Sequence, residues 1–358
     1  MEFALSEEQE LLRRYAREYL SDRHPLDRVA AHIDTEPGWD PGCWKEIAGL
    51  GWLGEDLGPV EQMVLAEETG YALLPAPLFA TVGLALAAVE HDPALRTRVA
   101  GGDLRLTLAW AEPGRPQGLR ATDAATTVDG DGRVTGRKVL VPDAEKADAF
   151  AVTAHGAHGV ELCLVEAGNA RITPHSTSDR SRRMAEVEFA DAPSESLAGP
   201  ETTPAVLAGI ERRAMVLAAA EALGVGRHAL ELGVAHARER HQFGRPIGVY
   251  QGVSHRLVDG YAALEMARSL TYWAAWLVAE GDDGGDRNDG TADAACAAAK
   301  SRAGEAAVLT CEHAIQVTGG LGMTWEHPLH RLYKRALWLD AFAGNGRDLR
   351  ARIADTLL

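Results

Sequence analysis

The feature that most restricts the fold of this chain is a series of long helical patterns in its C-terminal part. From about Ala205 onward, alanine-rich stretches recur with helical periodicity and short interruptions. In the second stretch, Val253, Leu257, Tyr261 and Leu264 mark one apolar stripe. Long helices with short links bury such stripes against antiparallel neighbours, so we predict a four-helix bundle. The predicted helices cover residues 205–241, 249–280, 291–318 and 329–342.

The preceding sequence divides into a helical part and a strand-rich part. Ser6 and Gln9 have capping-box spacing, and Asp40-Pro41 is typical of a helix start, so the first hundred residues predict mainly helices. From Leu104, short alternating runs and the Asp129-Gly130 turn signal predict β-hairpins. We therefore predict an α+β multidomain fold. Its domains are a helical one at 1–103, a small β-barrel or sandwich at 104–203, and the bundle at 204–358.

Composition excludes several classes of partner. A net charge of −16 disfavours nucleic acid and anionic membranes. The acidic N-terminus does not resemble a signal peptide, and the apolar run at 73–89 is short and contains two prolines, so we expect a cytoplasmic protein without a membrane span. The aspartate-rich segment 281–290 lacks a calcium-binding glutamate, so we interpret it as a solvated loop and expect no metal site. Reduced, buried thiols are expected for four widely spaced cysteines, Cys43, Cys163, Cys296 and Cys311.

A second constraint is the segment R-E-R-H-Q-F-G-R-P-I-G-V-Y-Q at 238–251, between the first two long helices. Gly244 can end a helix with positive φ, and Pro246 can open the next one. Cations in a last helical turn complement the helix dipole, which is sufficient reason for Arg238. It does not account for two amides and two aromatic rings around the same turn. Together with a guanidinium, those groups suit a ligand that has phosphates and a flat ring.

The pattern R-x-Q-F-G-x-P-I…Q resembles the flavin-contacting signature of the acyl-CoA dehydrogenase family. The segment 316–322, Q-V-T-G-G-L-G, resembles that family's second signature, although Gly319 is also typical of a helix C-cap. Weaker similarities occur at 111–114 and 50–54. The resemblance implies the same three-domain fold, FAD as cofactor, an acyl-CoA substrate, and electron-transfer flavoprotein as acceptor.

In the family, this corner and this glycine turn hold the adenosine diphosphate half of an FAD that belongs mainly to the neighbouring chain. Arg240 would pair with the pyrophosphate, while Gln316 and Gly320 would supply polar and backbone contacts. Carried over by position, the implied cofactor contacts are Arg240, Gln242, Phe243, Ile247, Tyr250, Gln251, Gln316, Val317 and Gly320.

The residues that the family uses for its chemistry are missing. That reaction needs a glutamate to take the substrate's α-proton and an isoalloxazine held flat above the substrate. Ala343 occupies the usual glutamate position, and Ala214 occupies an alternative one. Glu211 and Asp340 lie about one turn away and are the remaining candidate bases, although such charges are more often solvated or salt-bridged.

The ring side of the flavin site departs from the family as well. Leu140-Val141-Pro142 stands where the family has Trp-x-Thr, so an indole and a hydroxyl are lost. Ala109-Trp110-Ala111 replaces small or polar residues, and Arg115-Pro116-Gln117 replaces a serine-containing loop. What a chain uses for its own flavin is therefore gone, whereas what it offers to a neighbour's flavin is intact.

This one-sided loss predicts a partner chain that lacks the catalytic base. It would resemble one subunit of bacterial α2β2 acyl-CoA dehydrogenases that act on CoA esters of steroid side chains. A catalytic sister subunit would supply the glutamate and the ring pocket. Two alternatives remain open. One is a self-sufficient homo-oligomeric flavoenzyme with an unorthodox base, and the other is a non-catalytic assembly protein on the same fold.

Overall fold

The computed structural model of the chain describes residues 5–33, 35, 38–54, 57–115, 118–120, 123–282 and 289–357. These residues form two compact units. One unit comprises Met1–Glu36, Gly58–Leu74 and Met215–Leu358, and the other comprises Pro37–Leu57 and Pro75–Ala214. Along the chain, helices come first and last and strands lie between them in sequence, which confirms the predicted α+β class. The domain boundaries after residues 103 and 203 stay a prediction.

The N-terminal helices begin where the sequence places their caps. Both bonds of the capping box at Ser6 and Gln9 form, and Asp40 accepts the N–H of Gly42 at 2.9 Å ahead of the third helix. Within the apolar run at 73–89, the chain forms a π-helix, Phe79–Ala85, and a 3-10 helix, Leu86–Val89. The α-helices here are α1 (Glu7–Arg23), α2 (Leu26–Ile33), α3 (Pro41–Gly49), α4 (Pro59–Ala72) and α5 (Pro93–Ala100).

The central strands form one connected mixed sheet of eight strands among the described residues. They are β1 (Leu106–Ala109), β2 (Thr127–Val128), β3 (Arg133–Pro142), β4 (Ala149–Gly156), β5 (Gly159–Glu166), β6 (Ala170–Pro174), β7 (Met184–Pro193) and β8 (Glu195–Ala198). Their order is β6-β7-β3-β2-β4-β5-β8, with β1 parallel to β4. The hairpin predicted at Asp129-Gly130 joins β2 to β3. The side chain of Asp129 stabilises its turn by accepting the backbone N–H groups of Asp131 and Arg133 at 3.0 and 2.8 Å. Phe150 and Phe189 pack edge to face in the core of the sheet.

The C-terminal helices are α6 (Thr203–Glu239), α7 (Gln251–Asp282), α8 (Asp289–Thr318), α9 (Leu329–Ala341) and α10 (Gly346–Leu357). The first four match the predicted helices within a few residues. Glycines allow their close approach: a Cβ on Gly226 of α6 would lie 2.6 Å from Leu264 of α7 and 3.3 Å from Ala307 of α8. Leu257 and Leu264 of the predicted stripe are buried, and Val253 packs partly buried beside Leu257. The prediction was wrong for Tyr261, which is 56% exposed: its phenol lies at the solvent side of α7, outside the buried face.

The structure also bears on the predictions about metal ligands, membrane spans and cysteines. No cluster of metal-ligating side chains occurs in the described parts of the chain, and the centre of the segment read as a solvated loop, 283–288, lies outside them. None of the described helices is long and apolar enough to span a bilayer. All four cysteines are buried and none is in a disulfide, as predicted. The cellular compartment stays a prediction.

Candidate functional site

The corner between α6 and α7 is a miniature hairpin. After α6 ends, His241–Gln242 (β9) pairs antiparallel with Arg245–Pro246 (β10), and Phe243 and Gly244 make the turn with φ of 51° and 80°. Gly244 therefore takes the positive φ that its sequence position predicts. The N–H of Ile247 donates to the carbonyl of Arg240 at 2.8 Å and closes the hairpin.

Tyr250 holds this hairpin in shape. Its hydroxyl donates to the carbonyl of Gln242 at 3.2 Å and accepts from Nε of Arg245 at 3.3 Å. Its ring lies edge to face with Phe243, with centroids 6.3 Å apart, and the guanidinium carbon of Arg245 is 5.1 Å from its centroid. Tyr250 was predicted as a cofactor contact, and in the structure it also fixes the turn that presents its neighbours.

Those neighbours project outward. Arg240, Gln242 and Gln251 are exposed, and Phe243 is 92% exposed. The guanidinium of Arg240 and the amide of Gln242 bond to no other side chain or backbone group in the described residues. On a turn that Tyr250 holds in place, these exposed groups are open to a ligand.

The second predicted signature forms the end of α8. Gly319 follows Thr318 with φ of 71°, which confirms the predicted C-cap, and a 3-10 helix runs from Gly319 to Met323. Gln316 and Gly320 are exposed, and a Cβ on Gly320 would meet nothing within 4 Å. The backbone at Gly320 is therefore open to close approach by a ligand.

The structure brings the two signatures together. Val317 is only 9% exposed and packs in one apolar cluster with Ala237, Leu257 and Ile247. Val317 and Ile247, both predicted as cofactor contacts, thus have side chains that join the corner to the glycine turn. The remaining predicted residues form what we call the exposed edge: Arg240, Gln242, Phe243, Gln251, Gln316 and Gly320. Geometry and chemistry of the exposed edge fit a dinucleotide, since it offers a free guanidinium, amides and an unobstructed backbone.

The segments that would face the chain's own flavin ring, residues 108–115 and 138–143, have a different character. We call them the ring-side segments. Lys138 is fully buried, and its Nζ donates to Glu112 at 2.8 Å and to the hydroxyl of Thr153 at 2.9 Å. Glu112 also accepts the N–H groups of Ala125 and Thr126 at 2.6 and 2.9 Å. These polar groups satisfy one another.

Electrostatics of this pair follow from burial and hydrogen bonding. Burial by itself would raise the pKa of Glu112, but the bonds from Lys138 and from the two backbone N–H groups outweigh it and lower the pKa to about 2. Burial lowers the pKa of Lys138 to about 8, against the attraction of Glu112. Both groups are therefore charged at neutral pH. The sequence did not single out Lys138, because a lysine in an alternating strand normally indicates the solvent face.

The position of the family's Trp-x-Thr motif lies on an irregular part of β3. The pairing with β7 shifts between Lys138 and Val141, and Leu140 takes φ of 53° with its side chain 44% exposed. The carbonyl of Pro142 accepts the hydroxyl of Thr107 at 2.8 Å. An aliphatic side chain and a proline ring offer a flavin ring neither an aromatic face nor a donor, so these residues do not fit it. Pro116 and Gln117 of the substituted loop lie outside the described residues.

The two candidate bases are both engaged elsewhere or enclosed. Glu211 is 4% exposed, and its carboxylate pairs with Nε of Arg120 at 2.6 Å. Asp340 is half-buried, and burial raises its pKa, while the charge of Lys300 acts in the opposite direction. One oxygen of Asp340, Oδ1, is buried without a hydrogen bond from any described residue.

The segment that carries Ala343 is held by hydrogen bonds from a buried lysine of α8. Lys300 of α8 is 1% exposed, and its Nζ donates to the carbonyls of Asp340 at 2.5 Å and Gly344 at 2.6 Å. Burial lowers the pKa of Lys300 to about 8. Ala343 sits between these carbonyls with φ of 55°, and Ala214, at the alternative position, is fully buried. Neither alanine can accept a proton.

A cavity of about 260 Å³ lies in the unit that contains α1, α4 and most of α6. Its lining includes none of the predicted cofactor contacts. Glu68 in its wall is paired with Arg17 and Arg227, and the Nδ1 atom of His228 bonds to the carbonyl of Tyr71 at 2.6 Å. Burial lowers the pKa of His228, so its ring is neutral at pH 7. These polar groups serve the packing of the helices against one another.

Comparison with known proteins agrees with this architecture. Residues 209–358 match the model of the acyl-CoA dehydrogenase C-terminal domain. The acyl-CoA dehydrogenase FadE27 of Mycobacterium tuberculosis is 30% identical over 93% of this chain and 90% of its own length.

Solved structures give the same result. A chain of the Tcur3481-Tcur3483 steroid ACAD G363A variant is 29% identical, covers 98% of both chains and has a TM-score of 0.85. A chain of the ChsE4-ChsE5 complex from Mycobacterium tuberculosis is 26% identical, covers 100% of this chain and 99% of its own, and has a TM-score of 0.87. This chain belongs to the acyl-CoA dehydrogenase family of oxidoreductases.

Proposed function

We propose that this chain is the base-less subunit of a heteromeric acyl-CoA dehydrogenase and completes the FAD site of a catalytic sister subunit. The complex would remove two hydrogens from a CoA thioester, with electron-transfer flavoprotein as the acceptor. The two structures named above, one of a steroid acyl-CoA dehydrogenase and one of a ChsE4-ChsE5 complex, support a heteromer that acts on CoA esters with steroid-derived acyl groups.

The observation that carries this proposal is the contrast between the exposed edge and the ring-side segments. Arg240, Gln242 and Gly320 are exposed and open to a ligand. In the ring-side segments Leu140 and Pro142 occupy positions where ring contacts are needed, and Ala343, beyond α9, occupies the position of the base. A site decaying at random would lose residues from both regions. The retained set is the one that serves a neighbour.

Each group of the exposed edge has a defined task in this proposal. Arg240 would bind the diphosphate through charge-assisted hydrogen bonds, and Gln242 and Gln316 would bind neutral polar atoms of the dinucleotide. Gly320 would let the cofactor approach the main chain. Bound FAD supplies the hydride acceptor, and the sister subunit supplies the base that takes the α-proton.

The enclosed carboxyl of Asp340 is the observation that favours the homo-oligomeric alternative. Its raised pKa and unbonded Oδ1 are properties of some general bases. Bleaching of bound flavin when an acyl thioester is added anaerobically to the pure chain would establish that alternative. Loss of the bleaching in Asp340→Asn would identify the base.

Co-expression tests the main proposal. The chain is produced alone and together with an adjacent-gene homologue that carries glutamate at the position of Ala343. We expect a colourless, inactive chain alone and one FAD per pair in the complex, read from the visible spectrum and the mass. Stoichiometric FAD and dehydrogenation by the chain alone would contradict the proposal.

Arg240→Ala tests the exposed edge within that complex. Loss of a charge-assisted contact of about 1.5–3 kcal/mol predicts FAD binding weakened by roughly 10- to 100-fold. Arg238→Ala is the matched control, since Arg238 is also exposed and lies in the last turn of α6. Equal FAD affinity in the two variants would support a non-catalytic assembly role.

A further inference from the structure

The proposed function makes no use of the cavity between α1, α4 and α6. Part of its wall is apolar: Leu20 of α1 and Ala72 of α4 are buried, and the partly buried Leu26 of α2 lies beside them. Arg17 and Ser21, which also line the cavity, are exposed, so the cavity reaches the surface at α1. A concave, partly apolar space that is open to solvent can take up a small molecule.

The size of the cavity limits what it can hold. A dry apolar cavity of about 150 Å³ is sufficient for benzene. The volume here, about 260 Å³, has space for one ring or short chain with a small substituent. It lies below the range of about 300–1,000 Å³ that is usual for drug-sized ligands. A dinucleotide or a complete CoA ester is therefore too large for this site.

The charged side chains in the wall are bonded to one another. Glu68 accepts Nε and a terminal nitrogen of Arg17 at 3.1 and 2.9 Å, and it accepts a nitrogen of Arg227 at 2.8 Å. Burial alone would raise the pKa of Glu68, but these two cations lower it, so the carboxylate is ionised at neutral pH. An anionic ligand would have to lie beside Glu68, and a cationic one beside Arg17. A neutral ligand avoids both costs.

His228 supplies a polar atom that the protein itself does not use. Its Nδ1 bonds to the carbonyl of Tyr71 at 2.6 Å, and since a carbonyl only accepts, Nδ1 carries the proton. Burial lowers the pKa of His228, so the ring is neutral and Nε2 is an acceptor. In the parts of the chain that the structure describes, no group bonds to Nε2. The ring of Tyr71 stacks on the imidazole with centroids 4.0 Å apart and fixes its plane.

We propose that this cavity binds a small neutral molecule that has an apolar ring or short chain and one hydroxyl, with the hydroxyl donating to Nε2 of His228. All the lining residues belong to one compact unit. The inference therefore needs neither FAD nor a partner subunit and is independent of the proposed function. Because Leu20, Ala72 and His228 lie on three different helices, a bound molecule would contact all three and stabilise the unit.

Binding of para-ethylphenol to the full-length chain tests this site. Ethylbenzene has the same ring and side chain without the hydroxyl, and para-ethylbenzoate carries a negative charge in its place. Titration calorimetry at neutral pH gives the stoichiometry and the dissociation constants. We expect one para-ethylphenol per chain, bound roughly 3- to 10-fold more tightly than either of the other two compounds, as one neutral hydrogen bond allows.

Two variants locate the bound molecule. Ala72→Leu fills the apolar part of the cavity and should abolish binding of para-ethylphenol. His228→Asn keeps an N–H group for the carbonyl of Tyr71 but has no acceptor in place of Nε2, so para-ethylphenol should bind no better than ethylbenzene. His313→Asn is the matched control, since Nδ1 of His313 also bonds to a backbone carbonyl, that of Arg256, at 2.7 Å. His313 lies in the same unit and does not line the cavity.

The outcomes separate the site from its ligand class. An absence of saturable binding overturns the site, and so does equal affinity of the wild type and Ala72→Leu. Tighter binding of para-ethylbenzoate overturns the ligand class, because an anion would then be recognised at Arg17. Equal binding of ethylbenzene by the wild type overturns it as well, because the hydroxyl would not be recognised. If Ala72→Leu does not fold, the comparison of His228→Asn with His313→Asn decides, and equal effects of these two variants refute the proposal.

Discussion

The exposed edge and the ring-side segments both carry charged and polar side chains, but they use them in opposite ways. In the ring-side segments Glu112 and Lys138 are buried and bond to each other, and Lys138 also bonds to the buried Thr153 of β4. At the exposed edge the side chains of Arg240 and Gln242 project from a turn that Tyr250 holds, and these side chains bond to no described protein group. The difference shows that buried polar side chains which bond to each other maintain the fold, whereas exposed polar side chains without a protein partner are available to bind a ligand.

The largest effect is expected from disrupting the buried Lys138–Glu112 pair. Lys138→Met leaves Glu112 buried without its cation, which should lower the free energy of unfolding by about 3–5 kcal/mol. Chemical denaturation of the purified chain measures this. Lys45→Met is the control, since Lys45 is exposed in the same compact unit. Replacing Glu112 by Leu as well should recover much of the loss, and a single variant as stable as the control would show that the pair is not needed for folding.

Acid should act on the same pair. The pKa of Glu112 in the folded chain is about 2, below its ordinary value of 4.5. Its contribution to stability is therefore complete above pH 4.5 and is lost as the pH falls towards 2. Denaturation curves recorded across that range should fall more steeply for the wild type than for Glu112→Gln. Parallel curves would mean that Glu112 has the same pKa folded and unfolded.

Gly320→Ala sharpens the other side. Since a Cβ at Gly320 meets no protein atom within 4 Å, the fold should tolerate it. A ligand that approaches the main chain would be obstructed, so FAD release from the assembled complex should quicken about 5- to 10-fold. Gly209→Ala is the control, because Gly209 also has open space around it and lies in the other unit. Identical FAD release rates for both variants would place the cofactor elsewhere.

For Ala343→Glu we expect no effect on the flavin binding or the activity of the chain alone. Ala343→Glu restores a carboxylate at the family's usual position, but Leu140 and Pro142 still cannot hold a flavin ring. The variant chain alone should therefore bind no flavin and oxidise no acyl-CoA, as judged by its visible spectrum and by dye reduction. The co-expressed complex serves as the positive control. Activity of the single variant would show that the ring-side segments are intact after all.

Local elements could be predicted well from the sequence, and long-range ones could not. The capping box at Ser6, the turn at Gly244 and the C-cap at Gly319 form as expected, because each depends on neighbouring residues alone. Helix α10 was not predicted. It is short and strongly charged, and Asn345 caps it by accepting the N–H groups of Arg347 and Asp348.

The candidate site shows the same division. Position in the sequence predicted Tyr250 and Val317 as cofactor contacts. The structure adds that the Tyr250 hydroxyl bonds to the turn and that Val317 packs in an apolar cluster, so both side chains support the exposed edge. Glu211 was predicted as a candidate base from its position alone, and the structure adds that it is buried against Arg120. The type of a residue and its position in the sequence indicate which chemistry it can perform. They do not indicate which other side chain it bonds to in the folded protein.

The sequence by itself determined the order of helices and strands and the two signature turns, and it predicted alanine at the position of the usual glutamate. Those features are encoded by periodicity, by backbone preferences of glycine and proline, and by residue identity. Only the tertiary structure decided that adjacent Glu67 and Glu68 are each 1% exposed and paired with Arg227, which lies about 160 residues away. The physical reason is that burial of a charge depends on the partner that compaction brings to it, and local sequence carries no record of that partner.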